Sequence, residues 1–194
     1  MQHAIRTDWY VSTAPTEEPV TLIEAKNHLR VDHGDDDSLI SALLQAAREW
    51  CEGYQGRAYM QRTITLKLDT FYDELELPDP PLASVTSVQY VDTDGNTQTL
   101  SSTYYTVDTT SEPGRIHLAY NQTWPQHRDI PHAVTITFVA GYSSRAAVPA
   151  RFKAAIKLLL GHLYEHREVV TELALKKVPM AVESLLNIDR VECL

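Results

Sequence analysis

Apolar positions along the chain repeat with two different periods. Helical spacing governs residues 20–60 and 145–190, and alternation governs most of what lies between. In PVTLIEAKNHLRV (19–31), Leu22, Ala25 and Leu29 share one face. Thr21, with Glu24 three residues on, has the form of a capping box. A longer amphipathic run follows the stretch LRVDHGDDDSLI: Leu39, Ile40, Leu43, Leu44, Ala47, Trp50, Cys51 and Tyr54 recur at helical intervals. The contiguous acids ahead of it suit a helix start, with Asp35 or Asp36 as the N-cap and the rest at the positive end of the dipole. A calcium loop would place its acids on alternate positions around a central glycine, whereas here Gly34 precedes them.

After Gly53 and Gly56 the period becomes two. RTITLKLD (62–69) and LELP (75–78) alternate as strands do, and Pro78, Pro80 and Pro81 then break the chain. SVTSVQYV, the turn DTDG and TQTL predict one hairpin, and YYTVD and RIHLA around SEPG predict another. AVTITFVAGY (133–142) supplies a last strand. Turn spacing over 61–144 predicts an antiparallel lobe of about six or seven strands. Helical spacing returns in VPARFKAAIKLLLGHLYEHRE, where Pro149 suits the first turn and Phe152, Ile156, Leu159, Leu160 and Leu163 form the stripe. PMAVESLLNIDR (179–190) predicts a short final helix.

Helical stretches so separated need one another to bury their stripes. The fold class expected is therefore α+β: a helical lobe of about four helices with an antiparallel β lobe inserted between the second and third main helices. The organisation expected is an N-terminal arm (1–19), a helical core (20–60 with 145–167), the β insertion (61–144) and a C-terminal arm with a short helix (168–194).

Charge adds a constraint on partners. The chain carries 17 Lys plus Arg against 26 Asp plus Glu, a net −9. Residues 1–60 hold 5 basic and 10 acidic side chains and residues 61–140 hold 4 and 10, but residues 141–194 hold 8 and 6. Such a balance disfavours a broad grip on nucleic acid, where affinity comes from neutralising phosphates, yet permits a duplex to pass unheld. Cys51 and Cys193 make no CxxC pattern, and Cys51 sits on an apolar stripe, as a buried reduced thiol does. MQHAIRTDWYVSTAP has no apolar signal region and no run approaches a membrane span, so a soluble protein made in a reducing cytoplasm is expected.

Catalytic chemistry has one candidate motif. HLYEH (162–166) fits H-x-x-E-H, with His162 and His166 one turn apart and Glu165 beside them. Two such imidazoles can bind zinc while a glutamate activates water, giving a zinc-dependent hydrolase as the alternative reading. A third ligand would have to come from Glu172, Glu183 or elsewhere, and no spacing marks one. A polar helix face, with histidines favoured near a helix C-terminus, explains the same letters. Asp92 and Asp94 with Gly95 are read as turn chemistry. Trp124, Tyr104, Tyr105 and Tyr120 could line a carbohydrate-binding surface of the β lobe, although sheet packing explains them more simply. No G-x-S-x-G, P-loop or G-x-G-x-x-G occurs. The residues require no enzyme, metal or cofactor.

Taken together, PVTLIEAKNHLRVD, DDDSLISALLQAAREWCE, LPDPPLASVTSVQYVDTDG, FVAGY and VPARFKAAIKLLLGHLYEHRE resemble the longer members of the phage head–tail connector (adaptor) family of tailed phages, prophages and gene-transfer agents. The likeness runs from about residue 18 to 190 in the same order. It implies a homo-oligomeric ring, usually twelvefold, in the virion neck. The ring would sit beneath the portal protein, above a stopper or tail-completion protein, with double-stranded DNA passing through its lumen. It implies no catalytic residue, no cofactor and no membrane. Leu39, Ile40, Leu43, Ala47 and Trp50 would be helical core, facing Ile156, Leu159, Leu160 and Leu163. The segment after Arg167 resembles the family's portal-reaching arm, so Val178, Pro179, Met180, Leu185 and Leu186 are the implied partner contacts. The family commonly has another polar residue where His166 stands, which weakens the zinc alternative.

Overall fold

A computed structural model of the chain describes residues 7–166 and 180–191, and the chain divides into two units. The helical unit takes residues 16–60 and the chain from 142 onward. Helix α1 (Leu22–Leu29) starts at the capping box read from the sequence: Thr21 Oγ1 accepts from the Glu24 amide at 3.2 Å, and Glu24 accepts from the Thr21 amide at 2.8 Å. These two bonds satisfy amides that have no partner within the helix. Helix α2 (Asp37–Gln55) ends at Gly56, whose φ of 65° is the left-handed geometry common just past a helix C-terminus. A Cβ there would also lie 3.0 Å from the Val191 carbonyl oxygen. Helix α3 (Ala150–Glu165) follows Pro149, and α4 (Met180–Leu186) runs into a 3-10 turn at Asn187–Asp189.

The core of this unit is built from Ile40, Leu44, Ala47 and Cys51 of α2, Phe152, Ile156, Leu159 and Leu160 of α3, and Val182 and Leu186 of α4. Tyr59 stacks on Phe152 with ring centroids 4.8 Å apart. The buried stripe of α2 is thus rotated slightly from expectation. Leu39, Leu43 and Trp50 flank it half-buried, and Leu163 of α3 does the same. The rotation brings in a polar ridge: Arg48, Glu52 and Gln55 are all buried.

The β unit comprises residues 7–15 and 61–141, and its strands make two sheets with every pairing antiparallel. Strand β1 (Thr7–Thr13) comes from the stretch read as an extended arm. Its partner β2 (Arg62–Leu68) lies some fifty residues on, so no local turn signal announces the pairing. The remaining strands are β3 (Glu74–Leu77), β4 (Leu82–Val91), β5 (Thr97–Thr99), β6 (Tyr105–Asp108), β7 (Gly114–Leu118) and β8 (Val134–Ala140). The larger sheet has the order β1-β2-β8-β4-β5 and the smaller β3-β7-β6. Both predicted hairpins form, as β4–β5 and β6–β7. The region between α2 and α3 is therefore an antiparallel β insertion in a mixed α+β chain.

Alternation decides which side of the larger sheet is core. Val134, Ile136, Phe138 and Ala140 of β8 are buried, as are Ile64, Leu66 and Leu68 of β2. Gly114 is required by close packing, since a Cβ there would fall 2.4 Å from Leu82 Cβ. At the β4–β5 turn, Asp92 Oδ1 accepts from the amides of Asp94 and Asn96 at 3.0 and 2.8 Å. That is the turn chemistry expected of DTDG.

Candidate partner-binding surfaces

The acidic cluster before α2 does something other than end-cap. Asp36 stands at the N-cap position without a side-chain cap bond; its carboxylate accepts from Tyr164 of α3 at 2.5 Å. Asp37 pairs with Lys26 of α1 at 2.6 Å. The DDD run thereby ties the start of α2 to both neighbouring helices. Charge favours this site as well, because the acids remain near the helix N-terminus.

At its other end α2 carries the polar ridge. Arg48 donates to Glu52 at 2.6 Å and to Glu18 at 2.8 Å, and Glu52 accepts from the Tyr59 amide at 2.7 Å. Tyr59 OH donates to Gln55 Oε1, and Gln55 Nε2 donates to the Leu186 carbonyl at 2.7 Å. Cys51, next to this ridge, is fully buried, and burial pushes its thiol up to about 12. A thiol so raised is protonated at neutral pH and is a poor nucleophile.

The HLYEH segment forms the end of α3. His162 and His166 have ring centroids 4.5 Å apart, and His166 Nδ1 lies 2.9 Å from the His162 carbonyl oxygen. Glu165 and His166 are exposed. Among the described residues no group of three or more His, Cys, Asp or Glu is placed to hold a metal ion. Glu183 is described and joins no such group, whereas Glu172 lies outside the described residues. The candidate zinc pair thus has no third ligand among the described residues.

The implied partner contacts separate into three kinds. Val178 and Pro179 lie outside the described residues. Met180 is 73% exposed and Leu185 is half-buried against the core. Leu186 is fully buried and is part of that core, so in this conformation it packs within the chain and presents no surface to a partner. The segment is also clipped by polar contacts: the Val191 amide donates to the Gln55 carbonyl, Arg57 donates to the Asp189 carbonyl at 2.7 Å, and Asp189 pairs with Arg151. The short final helix expected at 179–190 thus forms as Met180–Leu186 and is docked on the helical core.

In the β unit, the aromatic candidates do not form one platform. Trp124 stacks on Phe71 at 4.8 Å, and Phe71 also meets His127 and, edge-on, Tyr90. That is packing of the kind aromatic side chains make in a core. Tyr120 is 91% exposed. Open apolar side chains that the sequence did not single out lie on β1, where Trp9 and Val11 on one face are 43% and 38% exposed and Tyr10 on the other is 52% exposed. No described helix is long and apolar enough to cross a membrane.

Comparison with known proteins places these surfaces in context. A family model described as head completion protein matches residues 19–176. No curated protein gives a significant match. Among solved structures, the chain is similar to one from the neck of an empty gene transfer agent particle computed with C6 symmetry. The TM-score is 0.80 and the identity 26%, over 96% of this chain and 97% of the other. A chain from the virion of a native gene transfer agent particle gives 0.78 at 26% identity, with the same coverage. One from a native neck computed with C12 symmetry gives 0.78 at 25%, again with that coverage.

Proposed function

The chain belongs to the head completion protein family, and from that premise we propose that it is a structural head–tail connector of a phage-like particle. It forms a homo-oligomeric ring in the neck, beneath the portal protein and above the next tail component. The observation that carries this reading is the match of nearly the whole chain, helical unit and β insertion together, to chains of gene transfer agent necks. The ring's task is mechanical. It lengthens the channel through which double-stranded DNA leaves the head and offers a docking face to the tail.

A net charge of −9 fits a channel that DNA must traverse quickly, because few phosphates are held and few contacts must break. The portal-facing contacts proposed are Val178, Pro179, Met180 and Leu185, while Leu186 serves the core. The reading assigns the chain no catalytic step and no cofactor. Deletion of the chain from a producing host tests it. Full heads and free tails accumulating side by side are expected, and joined, infectious or DNA-transferring particles would overturn it.

A further inference from the structure

The larger sheet of the β unit has two margins, and they differ from the rest of the chain in charge. One margin is β1, whose strand partner among the described residues is β2. The other is β5 with the first half of β4, because β5 pairs only with Gln89–Val91. Sheet edges are commonly blunted by lysine, proline or a covering element. The strand TDWYVST contains neither lysine nor proline, and its register with β2 is regular from Thr7 to Val11 before it shifts at Thr13; β4 shifts register between Leu82 and Ser84 and between Val85 and Ser87.

Apolar cover runs out at β1. Trp9 and Val11 stand opposite Leu66 and Ile64, which are 1% and 0% exposed, yet they remain substantially open themselves. Across the sheet, Ala83, Ser84 and Thr86 of β4 and all of β5 are exposed. Along β1, β4 and β5 the one charged side chain is Asp8, which His132 contacts at 2.8 Å. In a chain of net −9, these are surfaces where two copies can approach with little like-charge repulsion.

We propose that β1 of one copy and the β4–β5 margin of the next copy form a seam between neighbouring subunits. The inference rests on the ring reading and deepens it. A closed ring needs two different, mutually complementary patches on every subunit, and opposite margins of one sheet are such a pair. Strand addition would satisfy the open backbone groups of β1 and bury Trp9 and Val11.

The test uses the full chain. Particle mass by light scattering, with electron micrographs, is compared for the wild type, Val11→Asp and Thr86→Glu, with thermal melting as a check that each variant is folded. Each substitution puts an unpaired charge into the seam, and the protein concentration at half-assembly is expected to rise roughly tenfold or more. In parallel, Tyr10→Cys and Thr86→Cys, each on a Cys193→Ser background, are mixed and treated with a short bis-maleimide. Cross-linked pairs are expected from the mixture and from neither variant by itself. Rings that form in both charge variants, or rings without the mixed cross-link, overturn the seam and leave the ring reading in place. Cross-linking within Tyr10→Cys by itself would mean a two-fold β1–β1 contact and also overturns it. Where the wild type stays monomeric by itself, the two cysteine variants are co-expressed in a producing host and the assembled particles are cross-linked; necks without the mixed cross-link overturn the seam, and particles that lack the chain overturn the ring reading.

Discussion

The two units solve the same problem, covering an apolar interior, in different ways. The helical unit closes on itself: Val182 and Leu186 reach the core from beyond the insertion, and a buried polar ridge is matched bond for bond. The β unit buries its centre as fully but leaves β1 with half-open aromatic and aliphatic side chains at its margin. The helical unit leaves its open apolar side chains scattered, at Ile23, Leu158, Met180 and Ile188, whereas the β unit gathers Trp9, Tyr10 and Val11 on one marginal strand. In an assembling subunit, rigidity and stickiness can be held in different places.

The contrast breaks most severely at Glu52. Glu52→Ala leaves Arg48 as a buried charge without its i+4 partner, and a loss of about 3–5 kcal/mol in unfolding free energy is expected by denaturant titration. Replacing the pair together, Arg48→Met with Glu52→Leu, should recover most of that loss; a double variant as weak as the single one would show that the ridge is needed beyond charge balance. Next in size is Leu186→Ala, which opens a cavity where α4 meets the core and should cost about 2–5 kcal/mol. A cost well below 1 kcal/mol would mean that α4 is loosely held and that the helical unit is no more closed than the β unit.

The smallest effect expected is at the first helix. Thr21→Ala removes one half of the capping box and should cost about 1 kcal/mol. It carries a pH signature. Hydrogen bonds from the Thr21 amide and hydroxyl hold the Glu24 carboxyl below its ordinary value of 4.5. A lowered acid contributes stability that is fully present above 4.5 and is lost as pH falls through the folded value. The difference between wild type and Thr21→Ala should therefore narrow in acid, and a gap unchanged down to the acid limb would assign the whole cost to the bond from the Glu24 amide to Thr21 Oγ1 and none to the hydroxyl–carboxylate bond.

Much of this was legible from the residues, because it depends on local pattern. The Thr21–Glu24 box, the two hairpins and the α3 stripe all follow from spacings of a few residues. What sequence reading missed depends on partners far along the chain. TDWYVST has no turn beside it, so nothing local separates a strand from an extended arm. Arg48 and Glu52 look like ordinary solvated helix charges until Glu18 and the Tyr59 amide are seen to receive them. Leu186 was taken for a contact surface because its segment resembles the family's portal-reaching arm; its burial depends on α2 and α3. The β1 margin was missed for the same reason, since exposure at a sheet edge is visible only once the sheet order is known.

The way the insertion begins and ends has a consequence for how such a protein can diversify. β2 opens the insertion and β8 closes it, and they are paired along their full length, with Arg62 opposite Ala140. The excursion therefore leaves and returns at neighbouring points of one sheet, which β1 joins from outside the insertion. Loops and strands between β2 and β8 can be lengthened or exchanged without parting those two ends. Variation can then collect between them while the β1–β2–β8 base stays fixed, which lets one base carry many different outgrowths.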